Sequence, residues 1–247
     1  DRNNVDATRN LVEALRQNGT MPRRMVFVSS LSLLGAIREK PYPYTSLRDD
    51  DTPCPNTAYG QSKLRAEQYL ATCTDLDYVV VRPTGVYGPR ECDYFLMAKS
   101  IKQHIDFAVG YRPQDITFVY VLDLVQAILK AMTAQGVSRH TFIISDGQTY
   151  HSRTFSDLLQ RELGNPWVLH IKAPLWFLRA VCAVNGAVCH ALGRLTTLNM
   201  DKYHILAQRN WRCDITPARR LLGYQPEWPL ERGVRETVAW YKKAGWL

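Results

Sequence analysis

Short apolar runs alternate with amphipathic segments along the first 150 residues. Met25–Val28 and Tyr78–Val81 are apolar runs followed by Ser, Pro or Gly, which is typical of parallel strands buried on both faces. Between them, residues 59–72 carry apolar positions at helical spacing. The order strand, loop, helix, strand predicts a βαβ unit, and its loop at residues 31–58 is unusually long for a compact domain.

The same alternation extends to both sides of this unit. The pattern predicts a helix over 5–17, a strand over 117–121 leading into a helix N-capped by Asp123, a strand over 141–144, and a helix opened by a Thr154/Asp157 capping box. Beyond it, strands become sparse, and helices are predicted at 174–192, after 216–217 and at 230–243. The chain therefore has the pattern of an α/β protein with a mainly helical C-terminal part.

The composition is that of an ordinary globular protein. Of 247 residues, 46% are hydrophobic and 22% charged, which excludes collagen-like, coiled-coil and disordered classes. The net charge of +8 favours anionic ligands in general, but the basic residues are scattered, so no nucleic-acid partner is expected. The six cysteines contain no CxxC pair and the six histidines no HxH or HExxH spacing, so we expect no bound metal.

The most apolar stretch is Ala173–Gly193, which Arg179, Asn185 and His190 interrupt. Its charge-free run is shorter than the roughly 20 residues that a membrane-spanning helix needs. We expect no transmembrane segment here, but a helix that packs in the core, walls an apolar pocket or makes peripheral membrane contact. The first residues lack the pattern of a secretory signal, and with reduced thiols we expect a cytoplasmic location.

Candidate chemistry lies in the predicted βαβ unit. Tyr59 and Lys63 are four residues apart and share one face of the predicted helix. A nearby ammonium favours phenolate and lowers a tyrosine pKa from about 10 toward neutrality, so Tyr59 could exchange a proton with a substrate hydroxyl or carbonyl. The pair alone is a weak indicator. Ser29 and Ser30 follow the first strand, however, at the edge where open parallel sheets bind ligands.

Five motifs occur in a particular order: Asn4-Val-Asp-Ala-Thr8, Phe27-Val-Ser-Ser30 followed by Gly35, Tyr59-Gly-Gln-Ser-Lys63, Val81-Arg-Pro-Thr-Gly-Val-Tyr-Gly-Pro89 and Phe118-Val-Tyr-Val-Leu-Asp123. Together they resemble the extended short-chain dehydrogenase/reductase superfamily, also called the NAD-dependent epimerase/dehydratase family. The resemblance covers residues 3–150 in register and, more loosely, 222–226 and 230–241.

The resemblance implies roles for individual residues. Tyr59 would be the general acid/base, Lys63 would lower its pKa and bind the nicotinamide ribose, Ser30 would bind the reacting oxygen, and Asn4 would support the site. Residues implied to bind the cofactor, NAD or NADP, are Ser29, Tyr59, Lys63, Pro83, Thr84, Gly85 and Val86, and those implied to bind a small-molecule substrate are Ser30, Ser32, Gly85 and Tyr120. Family members often pair through the helix equivalent to 59–72, which leaves a homodimer open.

The implied fold is a Rossmann-like, doubly wound parallel sheet with a smaller, mainly helical substrate-binding part. Residues 1–90 and 116–150 would form the first part, and residues 91–115 and 151–247 the second. Family members begin with a strand and a Gly-rich GxxGxxG turn that holds the cofactor pyrophosphate. This sequence contains no such turn, so we expect the C-terminal part of a longer protein, with the N-terminal strands missing.

One residue and one short segment indicate the class of substrate. Gly85 stands where nucleotide-sugar members of the family commonly carry Asn, and Ile116-Thr117-Phe118 stands where they carry Arg-Asp-Tyr/Phe. Losing these polar contacts favours the 3-beta-hydroxysteroid-dehydrogenase-like or dihydroflavonol-reductase-like branches and an apolar, steroid-like hydroxyl or keto substrate. A nucleotide-sugar epimerase or dehydratase, with Arg112 or Arg179 binding phosphate, stays open, as does a catalytically silent binding protein on the same scaffold.

Overall fold

The computed structural model describes residues 2–191, 196 and 198–247. Its elements are α1 (Ala7–Gln17), β1 (Met25–Val28), α2 (Ala58–Thr72), β2 (Tyr78–Pro83), β3 (Gly85–Tyr87), α3 (Asp93–Lys102), β4 (Ile105–Val109), β5 (Asp115–Ile116), β6 (Phe118–Tyr120), α4 (Val121–Thr133), β7 (Thr141–Ile144), β8 (Tyr150–His151), α5 (Thr154–Glu162), β9 (Leu169–Ala173), α6 (Leu175–Ala191), α7 (Met200–Ala207), α8 (Thr216–Leu222) and α9 (Leu230–Lys243). A π-helical turn (Arg2–Asp6) precedes α1, and a 3-10 turn (Leu31–Leu34) follows β1.

A parallel sheet with the strand order β1-β2-β7 forms the centre of the fold. Side chains alternate between its two faces. Tyr78 and Val80 of β2 pack in one cluster with the α1 and α2 side chains, and Val79 and Val81 pack in another with α4 and α8. Helices thus cover both faces of a parallel sheet, which confirms the predicted α/β class.

A second core lies beside this sheet. The parallel pair β3–β6 packs with α3, α5 and α9 around buried aromatic side chains, which include Tyr87, Phe118, Tyr120, Phe155 and Tyr241. The antiparallel pair β5–β8 and the parallel pair β4–β9 complete the sheets found in the described ranges. The sequence pattern did not predict β4 or β9, because polar residues interrupt both strands and most of their side chains are at least partly exposed.

Two predicted helix caps are wrong. The Asp123 side chain does not cap α4, since its carboxylate accepts the backbone N–H groups of Glu227 (2.9 Å) and Trp228 (3.1 Å) instead. Thr154 begins α5 without a side-chain cap, and Asp157 accepts a hydrogen bond from Arg153 (2.7 Å). Both carboxylates make side-chain contacts that helix-start patterns do not reveal.

The most apolar predicted helix is α6. It begins close to the predicted start and runs to Ala191, whereas the predicted end at residue 192 lies outside the described residues. Cys182 is fully buried, but Trp176, Phe177, Val184 and Val188 are exposed. Among the described helices, none has both the length and the apolar character required for crossing a bilayer.

The long loop between β1 and α2 is fastened to the sheet by Asp49. Its side chain accepts the Ile143 backbone N–H at 2.6 Å, and its carbonyl accepts Arg82 Nη1 at 3.2 Å. Burial raises the pKa of the Asp49 carboxyl to about 7, although the hydrogen bond from Ile143 opposes the shift. The folded state therefore holds this proton more tightly than the unfolded state, where an Asp pKa is about 4.

This raised pKa predicts a pH dependence of stability. The Asp49 contribution is fully present below about pH 4 and is lost as the pH rises through about 7, a change of up to about 4 kcal/mol. Asp49→Asn retains the acceptor for Ile143 but does not titrate. Between about pH 4.5 and 8, a range that spans the loss of the Asp49 proton, the unfolding free energy of this variant should therefore fall less than that of the parent. Urea unfolding at several pH values measures this, with the exposed Asp93→Asn as control. A parent-like slope in Asp49→Asn would contradict the assignment.

Candidate active site

Two serines lie at the carboxyl end of β1. The Ser29 N–H donates to the Val81 carbonyl at 2.8 Å and so continues the sheet. The Ser30 hydroxyl then accepts the Ser32 N–H (3.2 Å) and forms a hydrogen bond with the Ser32 hydroxyl (2.9 Å). The turn ends at Gly35, which has a φ of +68°, and a Cβ there would collide with the Cys54 carbonyl oxygen.

The helix α2 begins directly against this serine turn. Thr57 caps it by accepting the Gly60 N–H at 3.0 Å, and Asp201 of α7 accepts the Ala58 N–H at 3.1 and 3.0 Å. A carboxylate at this position also interacts favourably with the helix dipole. A Cβ on Gly60 would lie 2.9 Å from the Ser32 carbonyl oxygen. This close approach brings the first turn of α2, and with it Tyr59, next to Ser30.

The Tyr59 side chain is partly open to solvent, with 45% of the residue exposed. Burial raises its pKa, and the interaction with the Ser30 hydroxyl opposes the rise. The Lys63 Nζ lies 5.8 Å from the centre of the Tyr59 ring but donates to the Val28 carbonyl at 2.8 Å. The Tyr59 pKa is thus raised in this structure, not lowered as the spacing to Lys63 predicts, since the ammonium is directed to a backbone carbonyl. Burial lowers the pKa of Lys63, which Glu67 opposes.

Asn4 reaches the site through an intermediary. Its Nδ2 donates to the Ser62 hydroxyl (2.8 Å), which donates in turn to the Tyr59 carbonyl (2.8 Å). The Thr8 hydroxyl donates to the Asn4 carbonyl at 2.6 Å. Asn4 thus holds the first turn of α2 in place without touching the Tyr59 phenol. Ser62 and Thr8 were not predicted to belong to this network, although both lie within the motifs that contain Tyr59 and Asn4.

Residues 83–86 join the central sheet to the β3–β6 pair. The Thr84 N–H donates to the Ile144 carbonyl at 3.1 Å, and its hydroxyl donates to the Thr117 carbonyl at 2.8 Å. Pro83 ends β2, and Gly85 and Val86 begin β3. The Thr84 hydroxyl is therefore used within the chain, whereas residues 84–86 as a whole stay partly exposed.

The space beside Gly85 is occupied by an aromatic side chain. A Cβ on Gly85 would lie 2.5 Å from the Tyr94 hydroxyl and 3.4 Å from the Phe118 ring. The Tyr94 ring packs on Phe155, with the ring centres 4.5 Å apart. A larger residue at position 85 would require Tyr94 to move.

Tyr120 lies apart from the serines and Tyr59. It is buried in the second core, and its ring stacks on Trp228 with the centres 4.4 Å apart. The Arg232 guanidinium lies 3.8 Å from the Trp228 ring centre. The structure thus brings Ser30, Ser32, Tyr59 and Lys63 together, and Asn4 through Ser62, but it does not open the Tyr120 ring to this site.

A cavity of about 410 Å³ lies near the amino terminus of α2. Its walls include Glu39, Asn56, Arg179, Met200, Tyr203 and His204. Arg179 of α6 is a predicted candidate for phosphate binding, and the others come from the long loop and from α7. Asn56 lies three residues before Tyr59 in the chain, so the cavity adjoins the helix start that carries the phenol.

The fold and this site define a class: a doubly wound α/β protein with serine, tyrosine and lysine at the carboxyl edge of its sheet. The chain belongs to the NAD dependent epimerase/dehydratase family, whose sequence profile matches residues 2–145. This confirms the resemblance drawn from the motifs. The prediction of NAD or NADP as the cofactor class is confirmed, because the family is NAD-dependent.

Similar proteins come from both branches considered above. UDP-glucose 4-epimerase from Vibrio cholerae is 25% identical over 98% of this chain and 69% of its own length. A decarboxylating sterol-4-alpha-carboxylate 3-dehydrogenase from Gibberella zeae is 26% identical over 97% of this chain and 84% of its own length. Among solved structures, dTDP-glucose 4,6-dehydratase from Bacillus anthracis in complex with NAD has a TM-score of 0.72 at 18% identity, covering 97% of this chain and 67% of that one. This last likeness shows the shared fold.

The residues at the β1 edge fit a nicotinamide cofactor. The Ser29 hydroxyl is buried and has no hydrogen-bond partner within the described part of the chain. The phenol of Tyr59 is partly exposed, and the Lys63 ammonium already binds an oxygen at the strand end. Hydroxyl, phenol and ammonium groups are suitable partners for the ribose hydroxyls and the amide of such a cofactor.

Proposed function

We propose that this protein is an NAD(P)-dependent oxidoreductase that transfers hydride between the nicotinamide and a hydroxyl or keto group of a small substrate. The observation that carries the proposal is the partly exposed Tyr59 phenol beside the Ser30 hydroxyl, with Lys63 on the same helix. A bound nicotinamide supplies the hydride donor or acceptor. The chain itself must then move one proton and orient one oxygen.

Tyr59 is the residue suited to move that proton. Its phenol would accept the proton of a substrate hydroxyl during oxidation and return it to a carbonyl oxygen during reduction. Ser30, whose hydroxyl interacts with Tyr59, would hold the reacting oxygen. Lys63 is the cation close enough to favour phenolate, once its ammonium turns from the Val28 carbonyl toward the phenol.

The substrate that we favour is apolar or steroid-like. Gly85 has no side chain that could bind a sugar, and a larger residue there would collide with the Tyr94 phenol and contact the Phe118 ring. Resemblance to a sterol dehydrogenase supports the same class. The alternative is a nucleotide-sugar epimerase or dehydratase, for which Arg179 in the 410 Å³ cavity offers a phosphate ligand and similarity to a UDP-glucose 4-epimerase gives support.

A binding assay followed by a substrate screen tests the proposal. The full-length protein is titrated with NAD(H) and NADP(H), and then assayed with 3-beta-hydroxysteroids and with UDP- and dTDP-sugars. Cofactor binding with net reduction of NAD(P) by hydroxysteroids supports the favoured reading. Conversion of nucleotide sugars without net redox supports the alternative. Failure to bind either cofactor would overturn both and leave a silent binding protein on this scaffold.

Further proposals concern the domain division of the chain, its location in the cell and its surface contacts. We propose a cofactor-binding part at residues 1–90 and 116–150 and a substrate-binding part at residues 91–115 and 151–247. The six free cysteines support a reducing, cytoplasmic location. Exposed Trp176 and Phe177 on α6 would serve peripheral membrane contact, and pairing through α2 would form a homodimer.

A further inference from the structure

The helices α6 and α7 form a structural unit of their own. In the described chain, each has closer contact with the other than with any further helix or strand. Asn185 of α6 donates to the Thr196 hydroxyl at 2.7 Å and to the Leu198 carbonyl at 2.8 Å, just before α7, and every residue of α7 is partly exposed. We call this helix pair, Leu175–Ala191 and Met200–Ala207, the flap.

The 410 Å³ cavity lies between the flap and the long loop that joins β1 to α2. Arg179 and Tyr203 line it from the flap, whereas Glu39 and Asn56 line it from the loop. A ligand that fills the cavity therefore contacts both walls. Its binding favours the position of the flap seen here over a more open one, because only the closed position offers both sets of contacts.

The two ends of α7 are attached to the rest of the protein in different ways. Directly after the helix, Gln208 and Arg209 are only 2% and 5% exposed, and the Arg209 side chain donates to the Val109 carbonyl at 2.9 Å. Near the start of the helix, Lys202 pairs with Asp93 at 3.0 Å, but these side chains are 32% and 60% exposed. Since exposed ion pairs stabilise little, the start of α7 can lift while its end stays fixed.

The start of α7 also holds the first turn of α2 through Asp201. Both of its carboxylate oxygens lie within hydrogen-bond distance of the Ala58 N–H, which directly precedes Tyr59. The Thr57 side chain accepts the Gly60 N–H, so Asp201 satisfies a different N–H of the same turn. The first N–H groups of a helix have no partner within the helix. Lifting α7 therefore releases the turn that carries the phenol.

We propose that Asp201 is a positioning residue for Tyr59 and that it acts while the flap is closed over an occupied cavity. Ligand binding then completes the active site, because the flap that contacts the ligand also holds the start of α2. Asp201 takes no part in the proton transfer itself. The effect on turnover rests on the proposed function, whereas the coupled motion of the two helices does not.

Hydrogen exchange of the full-length protein, followed by mass spectrometry, tests the coupling without turnover. The parent, Asp201→Ala, Asp201→Asn and the control Glu236→Ala, at an exposed acid of α9, are compared alone and with a 3-beta-hydroxysteroid or UDP-glucose. In Asp201→Ala, residues 58–60 should exchange roughly three- to tenfold faster than in the parent, since one hydrogen bond to a charged group is lost. Asp201→Asn keeps an acceptor oxygen and should lie nearer the parent.

The response to ligand identifies the flap as the connecting element. In the parent, the ligand that binds should slow exchange in residues 200–207 and 58–60 together. In Asp201→Ala it should slow exchange in 200–207 only. The control should match the parent in both segments. Parent-like exchange of residues 58–60 in Asp201→Ala, with or without ligand, would overturn the coupling.

Turnover then tests whether the coupling positions Tyr59. Asp201→Ala should lower kcat about ten- to a hundredfold, the cost of misplacing a catalytic group by about 1 Å, and Asp201→Asn should recover part of the loss. Faster exchange at residues 58–60 with parent-like kcat would refute the positioning role. An inactive parent would count against the proposed function instead, and the exchange of ligand-free Asp201→Ala would still decide whether α7 holds α2.

Discussion

Replacing Tyr59 with phenylalanine should lower kcat by about 10²–10⁴-fold, the range that general acid–base catalysis supplies. The affinity for the nicotinamide cofactor should change little, because the aromatic ring and the Lys63 ammonium both remain. Ultraviolet absorbance of the reduced nicotinamide measures turnover, and quenching of protein fluorescence measures cofactor binding.

The matched control for this change is Tyr42→Phe. Tyr42 is also exposed, and its ring packs only against Tyr44 at 5.1 Å between centres among the described aromatic contacts, so turnover should stay at the parent value. Parent-like turnover in Tyr59→Phe would remove Tyr59 from the acid–base role. Loss of cofactor affinity together with turnover would instead make it a binding residue.

Replacing Glu67 with alanine should destabilise the fold by about 3–5 kcal/mol, the usual cost of breaking a buried ion pair. Glu67 of α2 accepts two hydrogen bonds from Arg82 of β2, at 2.6 and 3.1 Å. The two side chains are only 10% and 7% exposed. Without Glu67, the guanidinium stays buried with the Asp49 carbonyl as its recorded partner. The free energy of unfolding in urea measures the loss.

An exposed pair serves as the control. Arg48 and Asp50 of the long loop are 3.2 Å apart, with side chains 58% and 73% exposed, so Asp50→Ala should cost less than about 1 kcal/mol. Similar losses in the two variants would mean that solvent screens the Glu67–Arg82 pair as well. A second change, Arg82→Met in the Glu67→Ala background, should recover part of the stability because it removes the unpaired charge.

Elements with a strong burial pattern were predicted closely from the sequence. Met25–Val28, Thr141–Ile144 and Leu230–Lys243 have the predicted limits, since each is either fully apolar or clearly amphipathic. The strands β4 and β9 were missed for the opposite reason. They pair over a long sequence separation, with Asp106 opposite His170, and alternate polar and apolar positions too briefly to stand out.

The candidate site could likewise be predicted only where local sequence patterns mark its residues. Ser30, Tyr59 and Lys63 could be identified because motif spacing and the end of a strand mark them. The cap that Asp201 provides for α2 could not, because it joins residues 143 positions apart in the sequence. The direction of the Lys63 ammonium could not be predicted from the sequence either. Spacing brings it near Tyr59, but the contact with Val28 depends on how α2 lies across β1.

The position of α7 has a consequence for how this protein could change during evolution or engineering. One side of α7 contributes Met200, Tyr203 and His204 to the 410 Å³ cavity, and its first turn provides the Asp201 cap for the helix that carries Tyr59. Mutations that reshape the cavity through α7 will therefore also shift the start of α2. On the proposed function, changes in α7 would alter selectivity and rate together, whereas Glu39 and Arg179 line the cavity from outside α7 and would be the positions at which to alter selectivity alone.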